Sequence, residues 1–371
     1  MESISVEETE SLNATTAEDI PEETTEEYDK HKLTFDVVDS DEDLEVDTYL
    51  VYKYARSIYV YDSENVRELF GDEEITLDDF NKVIDANSNI PDSFKGYVKR
   101  FCKDLIEKQP KAERRILYEN LKDLSIVEYT DMHQLSVKTL SWDALACYVR
   151  SENTIYTMKE YQYQEGTWDF QILYHELAHA ARSRWNTWNG YKLRIQADGS
   201  NFYDVIIEEA LNSVFAVSLF DYEEKDIAYQ LQSNIIKLLV DNMDNYEISD
   251  YMNHSMSYFC HKLDEFHGDH NYGAVLLKLV ETQYEDFHDP YMEIDKEEYY
   301  PIYEYLSDFY YKNRINENTT YEEAQGYTAE LLNKVLYDVP SEYNIDTAYF
   351  YTYLDEYCKK IGLNFDKQKT P

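Results

Sequence analysis

The chain has 371 residues, enough for two or three packed units, and a formal net charge of −42, which argues against nucleic acid or an anionic membrane surface as its partner. Hydrophobic residues make up 43% and charged residues 30%, the balance of a globular protein. No stretch approaches the roughly 20 apolar residues of a membrane span. The four cysteines, Cys102, Cys147, Cys260 and Cys358, lie far apart without a CxxC pair and read as buried free thiols.

Taken in chain order, residues 1–43 form an acidic segment. Its first 29 residues hold eleven acidic side chains and no Lys or Arg, too little apolar surface to offset chain entropy, so disorder is expected. The N-terminus lacks the basic and apolar regions of a signal peptide. The acidic stretch reads as a spacer, and the expectation is a secreted or cell-surface protein ahead of a cytoplasmic one. Residues 44–122 read as a helical N-terminal region. Phe94, Val98, Phe101, Leu105 and Ile106 share one face after a start at Pro91, and Lys95, Lys99, Arg100, Lys103 and Lys108 form a basic face that can pair with the acidic remainder.

From Leu124 the period changes to two. Ser125–Tyr129, Ala144–Val149 and Ile155–Tyr161 read as strands, the last two joined as a hairpin through Ser151–Thr154. A helix follows over about 168–185, and 123–222 is the expected core region. Beyond it, 223–371 reads as a helical C-terminal domain, with segments near 226–241, 250–266, 273–285, 321–337 and 347–360. The 38 tyrosines, spread without a period, are expected at core edges with their hydroxyls reaching solvent.

The helix at 168–185 carries His175-Glu176-Leu177-Ala178-His179. Histidines at i and i+4 project about 40° apart and can reach one ion. Zinc held by three protein ligands keeps a fourth position for water, whose pKa falls to roughly 7, and a carboxylate beside it can accept the proton and deliver it to a leaving amine. Glu176 stands where such a base is needed.

A third ligand must come from elsewhere. The pattern with a glycine three residues after the second histidine, and a third histidine three beyond, is excluded because Arg182 and Trp185 occupy those places. The alternative is a glutamate on the apolar helix near 203–219. Glu209 neighbours Val205, Ile206 and Ser213 on the inward side, whereas Glu208 neighbours Asp204 and Asn212 on a side that reads as solvated. A carboxylate on a buried face needs a compensating charge, so Glu209 is preferred.

These residues resemble the gluzincin superfamily of zinc peptidases, on the strength of the His175–His179 segment and Glu209-Ala210. The resemblance implies His175, His179 and Glu209 as ligands of one zinc ion per chain, and Glu176 as general base. Thermolysin-like members carry an aspartate four residues after the ligand glutamate that supports the first histidine. Ser213 stands there, so that support is expected from elsewhere. The segment from His270 through Tyr272 and Gly273-Ala274 is similar to the start of a helix in aminopeptidase-like members, which implies His270 or Tyr272 as an oxyanion donor.

The fold that follows is α+β and predominantly helical: a zincin-like catalytic core with a small antiparallel sheet, between helical N- and C-terminal regions. The function expected is that of a zinc metallopeptidase acting on an extended polypeptide laid along the hairpin strand before the metal helix. Two alternatives stand beside it. One is a non-catalytic zinc-binding surface protein, which has no need of Glu176. The other is a zinc hydrolase acting on a small molecule.

Overall fold

The computed structural model describes residues 33–37, 40–46, 73–131, 133–135, 145–149, 152–159, 163, 167–182, 205–220, 229–254, 256–268, 272–273, 275–277, 279–280, 283, 296–340, 343, 345–363 and 365. Residues 1–32 lie outside this set. The first element is a hairpin of β1 (Leu33–Val37) and β2 (Ser40–Val46), paired antiparallel. It starts inside the segment expected to lack structure up to residue 43. The alternation of Leu33, Phe35 and Val37 with Thr34 and Asp36 is a strand pattern that the surrounding acidity masks.

Three helices follow: α1 (Leu77–Ala86), α2 (Asp92–Lys108) and α3 (Arg115–Leu121). α1 begins in a capping box, where Thr76 Oγ1 accepts from the Asp79 amide at 3.3 Å and Asp79 accepts from the Thr76 amide at 3.1 Å. α2 starts after Pro91 and buries Phe94, Val98, Phe101 and Leu105 as its periodicity requires. Its basic face is paired: Lys99 with Asp85 at 2.7 Å, Lys95 with Asp92 at 3.0 Å, and Arg100 with Asp104 at 3.6 Å.

The sheet comprises β3 (Ser125–Tyr129), β4 (Cys147–Val149) and β5 (Thr154–Met158) in the order β3-β5-β4. β4 and β5 pair antiparallel as the hairpin reading expects, but β3 and β5 pair parallel, from Ser125 opposite Thr154 to Tyr129 opposite Met158. The sheet is therefore mixed, not antiparallel throughout. The connection 130–153 is long enough to bring the chain back alongside β3 in the same direction. β5, the strand nearest the metal-helix segment in sequence, is central and wholly buried, which leaves β4 as the edge on that side.

Next come α4 (Trp168–Arg182), α5 (Val205–Ser218), α6 (Gln230–Asn242), α7 (Asp250–Asn253) and α8 (Met256–His267). The expected helix over 273–285 falls only partly on described residues, of which 272–273, 275–277, 279–280 and 283 are helical. α9 (Tyr300–Tyr311), α10 (Tyr321–Val335) and α11 (Thr347–Lys360) close the chain. Among the described residues the structure is predominantly helical, with one small mixed sheet in addition to the β1–β2 hairpin. One hydrophobic cluster runs from Ile75 to Phe365, with Phe170, Leu173 and Leu177 of α4 and Ile207, Leu211 and Phe215 of α5 inside it.

Several tyrosines sit deeper than core edges. Tyr174, Tyr251, Tyr310 and Tyr311 are among the largest fully buried side chains. The hydroxyls of Tyr174, Tyr251 and Tyr311 meet buried partners, as in Tyr174 to Asp104 at 2.7 Å and Tyr311 with Thr328 at 2.8 Å. A phenol can be buried whole when its one polar atom finds a partner, and this chain supplies carboxylates freely.

Candidate metal centre

α4 is apolar almost all round, because it threads the core: Phe170, Leu173, Tyr174, Leu177, Ala178, Ala180 and Ala181 are buried. Thr167 caps its start, its hydroxyl accepting from the Phe170 amide at 3.3 Å. Polar side chains on such a helix stay only where each finds compensation. α5 packs beside it and is built in the same way.

On the facing sides of α4 and α5, three donor atoms converge. His175 Nε2 lies 2.9 Å from Glu209 Oε2, His179 Nε2 lies 3.1 Å from the same oxygen, and the two ring nitrogens are 3.1 Å apart. His175, His179 and Glu209 are the one group of potential metal ligands found among the described residues. The geometry brings Glu209, and not Glu208, to the two histidines.

The remaining contacts of His175 decide what this triangle can hold. Its Nδ1 lies 3.2 Å from Ser213 Oγ, and its carbonyl accepts from Asn212 Nδ2 at 2.8 Å. With the proton on Nδ1 donated to Ser213, the Nε2 lone pair points at the triangle. Two imidazole lone pairs and a carboxylate oxygen about 3 Å apart repel one another unless a positive charge lies among them. Around a tetrahedral zinc ion with ligand distances of roughly 2.0–2.1 Å, donors stand about 3.3 Å apart. The observed separations are within about half an ångström of that spacing, so the donor set fits zinc.

The electrostatics make the same demand. Burial pushes His175 toward its neutral form, but the hydrogen bond and charge of Glu209 outweigh it and hold the imidazole above its usual range. Burial would likewise raise Glu209, yet the imidazoles of His179 and His175 hold its carboxyl well below the usual carboxylate range. Both shifts describe a pocket that favours positive charge between the three groups.

Glu176 sits beside this triangle, 6% exposed. Its Oε2 accepts from the backbone N–H of Tyr148 on β4 at 2.6 Å, while Oε1 takes no hydrogen bond among the described residues. Burial, helped by the charge of Glu209, holds its carboxyl above the usual range against the opposing pull of His175, His179 and the Tyr148 amide. A raised pKa suits a group that must both take and return a proton.

Two expectations change here. Support for His175 comes not from elsewhere but from Ser213 itself, whose hydroxyl lies within hydrogen-bond distance of Nδ1. Glu208, read as solvated, is completely buried. It forms an ion pair with Arg182 Nη1, which is buried as deeply, and the Tyr251 hydroxyl lies 3.3 Å from Glu208 Oε1 and 3.2 Å from Asn212 Oδ1. Arg182 Nη2 donates to the His254 carbonyl at 3.0 Å, and its guanidinium lies 4.1 Å from the centre of the Tyr251 ring. A buried glutamate needs a cation, and Arg182 is the cation that Glu208 uses.

A closed ring of hydrogen bonds ties the hairpin to α4. From Glu176 it passes to the Tyr148 amide. The Tyr148 hydroxyl donates to Asn153 Oδ1 at 2.8 Å, and Asn153 Nδ2 donates to the Asn120 carbonyl at 2.8 Å. Asn120 Nδ2 then returns to the Ala180 carbonyl on α4 at 2.7 Å. No local sequence signal announces Tyr148, Asn153 or Asn120, because their partners lie far along the chain.

Of the two oxyanion candidates, His270 lies outside the described residues. Tyr272 is buried, donates its hydroxyl to the Tyr305 carbonyl at 2.6 Å and stacks on His267 at 3.7 Å between ring centres. The adjacent Gly273 has a packing reason: a Cβ there would stand 2.6 Å from the Cys260 carbonyl oxygen of α8.

No protein-family model, curated protein or solved structure matches this chain. Among the described residues no helix is long and apolar enough to cross a membrane.

Proposed function

We propose that the protein is a zinc-dependent metallopeptidase with a zincin-like core, holding one zinc ion through His175, His179 and Glu209. The observation that carries the reading is the convergence of those three donor atoms at 2.9–3.1 Å beside the Glu176 carboxylate, which is 6% exposed and oriented through Oε2 by the Tyr148 amide. When bound, zinc supplies Lewis acidity, bringing the pKa of a coordinated water to roughly 7 and polarising a carbonyl. Glu176 accepts a proton at Oε1 and returns it to the leaving amine nitrogen, while the Tyr148 amide fixes its orientation through Oε2. Ser213 holds the His175 ring in the tautomer that leaves Nε2 free.

A polypeptide substrate is favoured by the position of β4. It is the sheet edge beside Glu176, and an extended chain can add to such an edge by backbone hydrogen bonds.

Metal analysis of the full-length chain, together with hydrolysis of an unfolded polypeptide, tests the reading. About one zinc per chain is expected, and Glu176→Gln should lower turnover by roughly 10²–10⁴-fold while retaining the metal. Purified protein that takes up no zinc would sink the proposal, and a Glu176→Gln variant with full turnover would move the base elsewhere.

A further inference from the structure

The Arg182–Glu208 pair has no part in the chemistry proposed above, yet it is attached to that site on both sides. Arg182 stands three residues after His179 at the end of α4, and Glu208 immediately precedes Glu209 on α5. Both side chains are about 1% exposed. Tyr251 reaches from α7 to Glu208 and Asn212, and Asn212 in turn holds the His175 carbonyl. Burial keeps the Tyr251 phenol protonated and able to donate.

Stability alone is a poor reason for this arrangement. Desolvating two charges is offset only when the remaining polar atoms are also satisfied, and apolar replacement of a buried pair is often neutral or stabilising. Here Arg182 Nε and Glu208 Oε2 are buried with no hydrogen-bond partner among the described residues. What the pair does supply is directional. A rotation of α5 by ~10° about its axis carries a side-chain tip at a radius of ~6 Å through ~1 Å. A metal site tolerates roughly 0.2 Å in ligand distance. Between two largely apolar helices, the pair joins the contacts that Asn212 and Ser213 make with His175 in setting that rotation.

We propose that Arg182 and Glu208 are positioning residues, a buried ionic latch that fixes the rotation of α5 against α4 so that Glu209 meets His175 and His179 at metal-binding distance. Tyr251 and Asn212 extend the latch to the backbone of α4. The inference rests on the metal reading given above and assigns its precision to a pair that touches neither metal nor substrate.

The test compares full-length wild type with Arg182→Met/Glu208→Leu, which removes both charges at once and leaves neither unpaired. Zinc affinity is measured by chelator competition, the ligand field by the visible spectrum of the cobalt-loaded protein, and folding by circular dichroism and thermal unfolding. The double variant should stay folded with an unfolding temperature near or above wild type, bind zinc about 10–100-fold more weakly and show an altered cobalt spectrum. Arg182→Lys, which keeps the charge but not the fork to His254, should fall between the two. Should the double variant fail to fold, Arg182→Lys carries the test by itself. Folded variants that bind zinc within twofold of wild type with an unchanged cobalt spectrum overturn the latch. A wild-type protein that binds no zinc overturns the metal reading, and the latch with it.

Discussion

At the scale of single residues, the hydroxyl of Ser213 does work for which a carboxylate would be the stronger acceptor. A hydroxyl can accept from the Nδ1–H tautomer of His175 and adds no negative charge beside Glu209, Glu208 and Glu176. Ser213→Ala should therefore weaken zinc binding about tenfold, read by chelator competition, with the fold retained. An unchanged affinity would show that the tautomer is set by something else. The His175-Glu176-x-x-His179 group was legible in the sequence because its geometry is contained in one helical turn. Glu209 was legible for a partly mistaken reason. The inward face of α5 carries both glutamates, and which cation compensates which carboxylate depends on Arg182, twenty-six residues earlier. Helical periodicity holds no information about that pairing.

At the scale of elements, the helices were largely readable, since apolar spacing reports a helix face whatever it packs against. α2, α4, α5, α10 and α11 lie close to their expected spans. The parallel pairing of β3 with β5 was not readable, because strand direction is set by the path of the connection and not by alternation within either strand. The hairpin between β4 and β5 turns on Asn153, whose φ of 48° lies in the left-handed region that asparagine tolerates better than most residues. Its side chain also bonds Tyr148, Asn120 and Asp123. Asn153→Ala should cost about 4–5 kcal/mol in urea unfolding, combining backbone strain of ~1–2 kcal/mol with three lost hydrogen bonds of ~1 kcal/mol each. Asn153→Gly, free of the strain, should lose about 1 kcal/mol less. Equal losses would mean that the backbone conformation contributes nothing.

At the scale of the whole molecule, the formal charge of −42 and the buried carboxylates of Glu176 and Glu208 near His175, His179 and Glu209 favour a cation. A ligand that binds only the folded chain stabilises it by mass action. Free zinc at about a thousand times its dissociation constant should add ~4 kcal/mol, which for a chain this long raises the unfolding temperature by roughly 5 °C. Differential scanning calorimetry with and without chelator measures the difference. No shift in a zinc-loaded sample would place the ion outside the folded core.

The ring of hydrogen bonds through Glu176, Tyr148, Asn153, Asn120 and Ala180 begins and ends on α4, and this constrains how the protein can open. A strand held at one end can peel away from its neighbour with little consequence for the rest. β4 is held through the amide and the hydroxyl of its central Tyr148, so lifting it breaks the bond to Asn153 or releases the carboxylate of Glu176, and either break loosens the helix that bears the histidines. Hairpin and helix should therefore open as one cooperative unit, with native-state hydrogen exchange showing their amide protons exchanging together and not in sequence from the exposed edge inward.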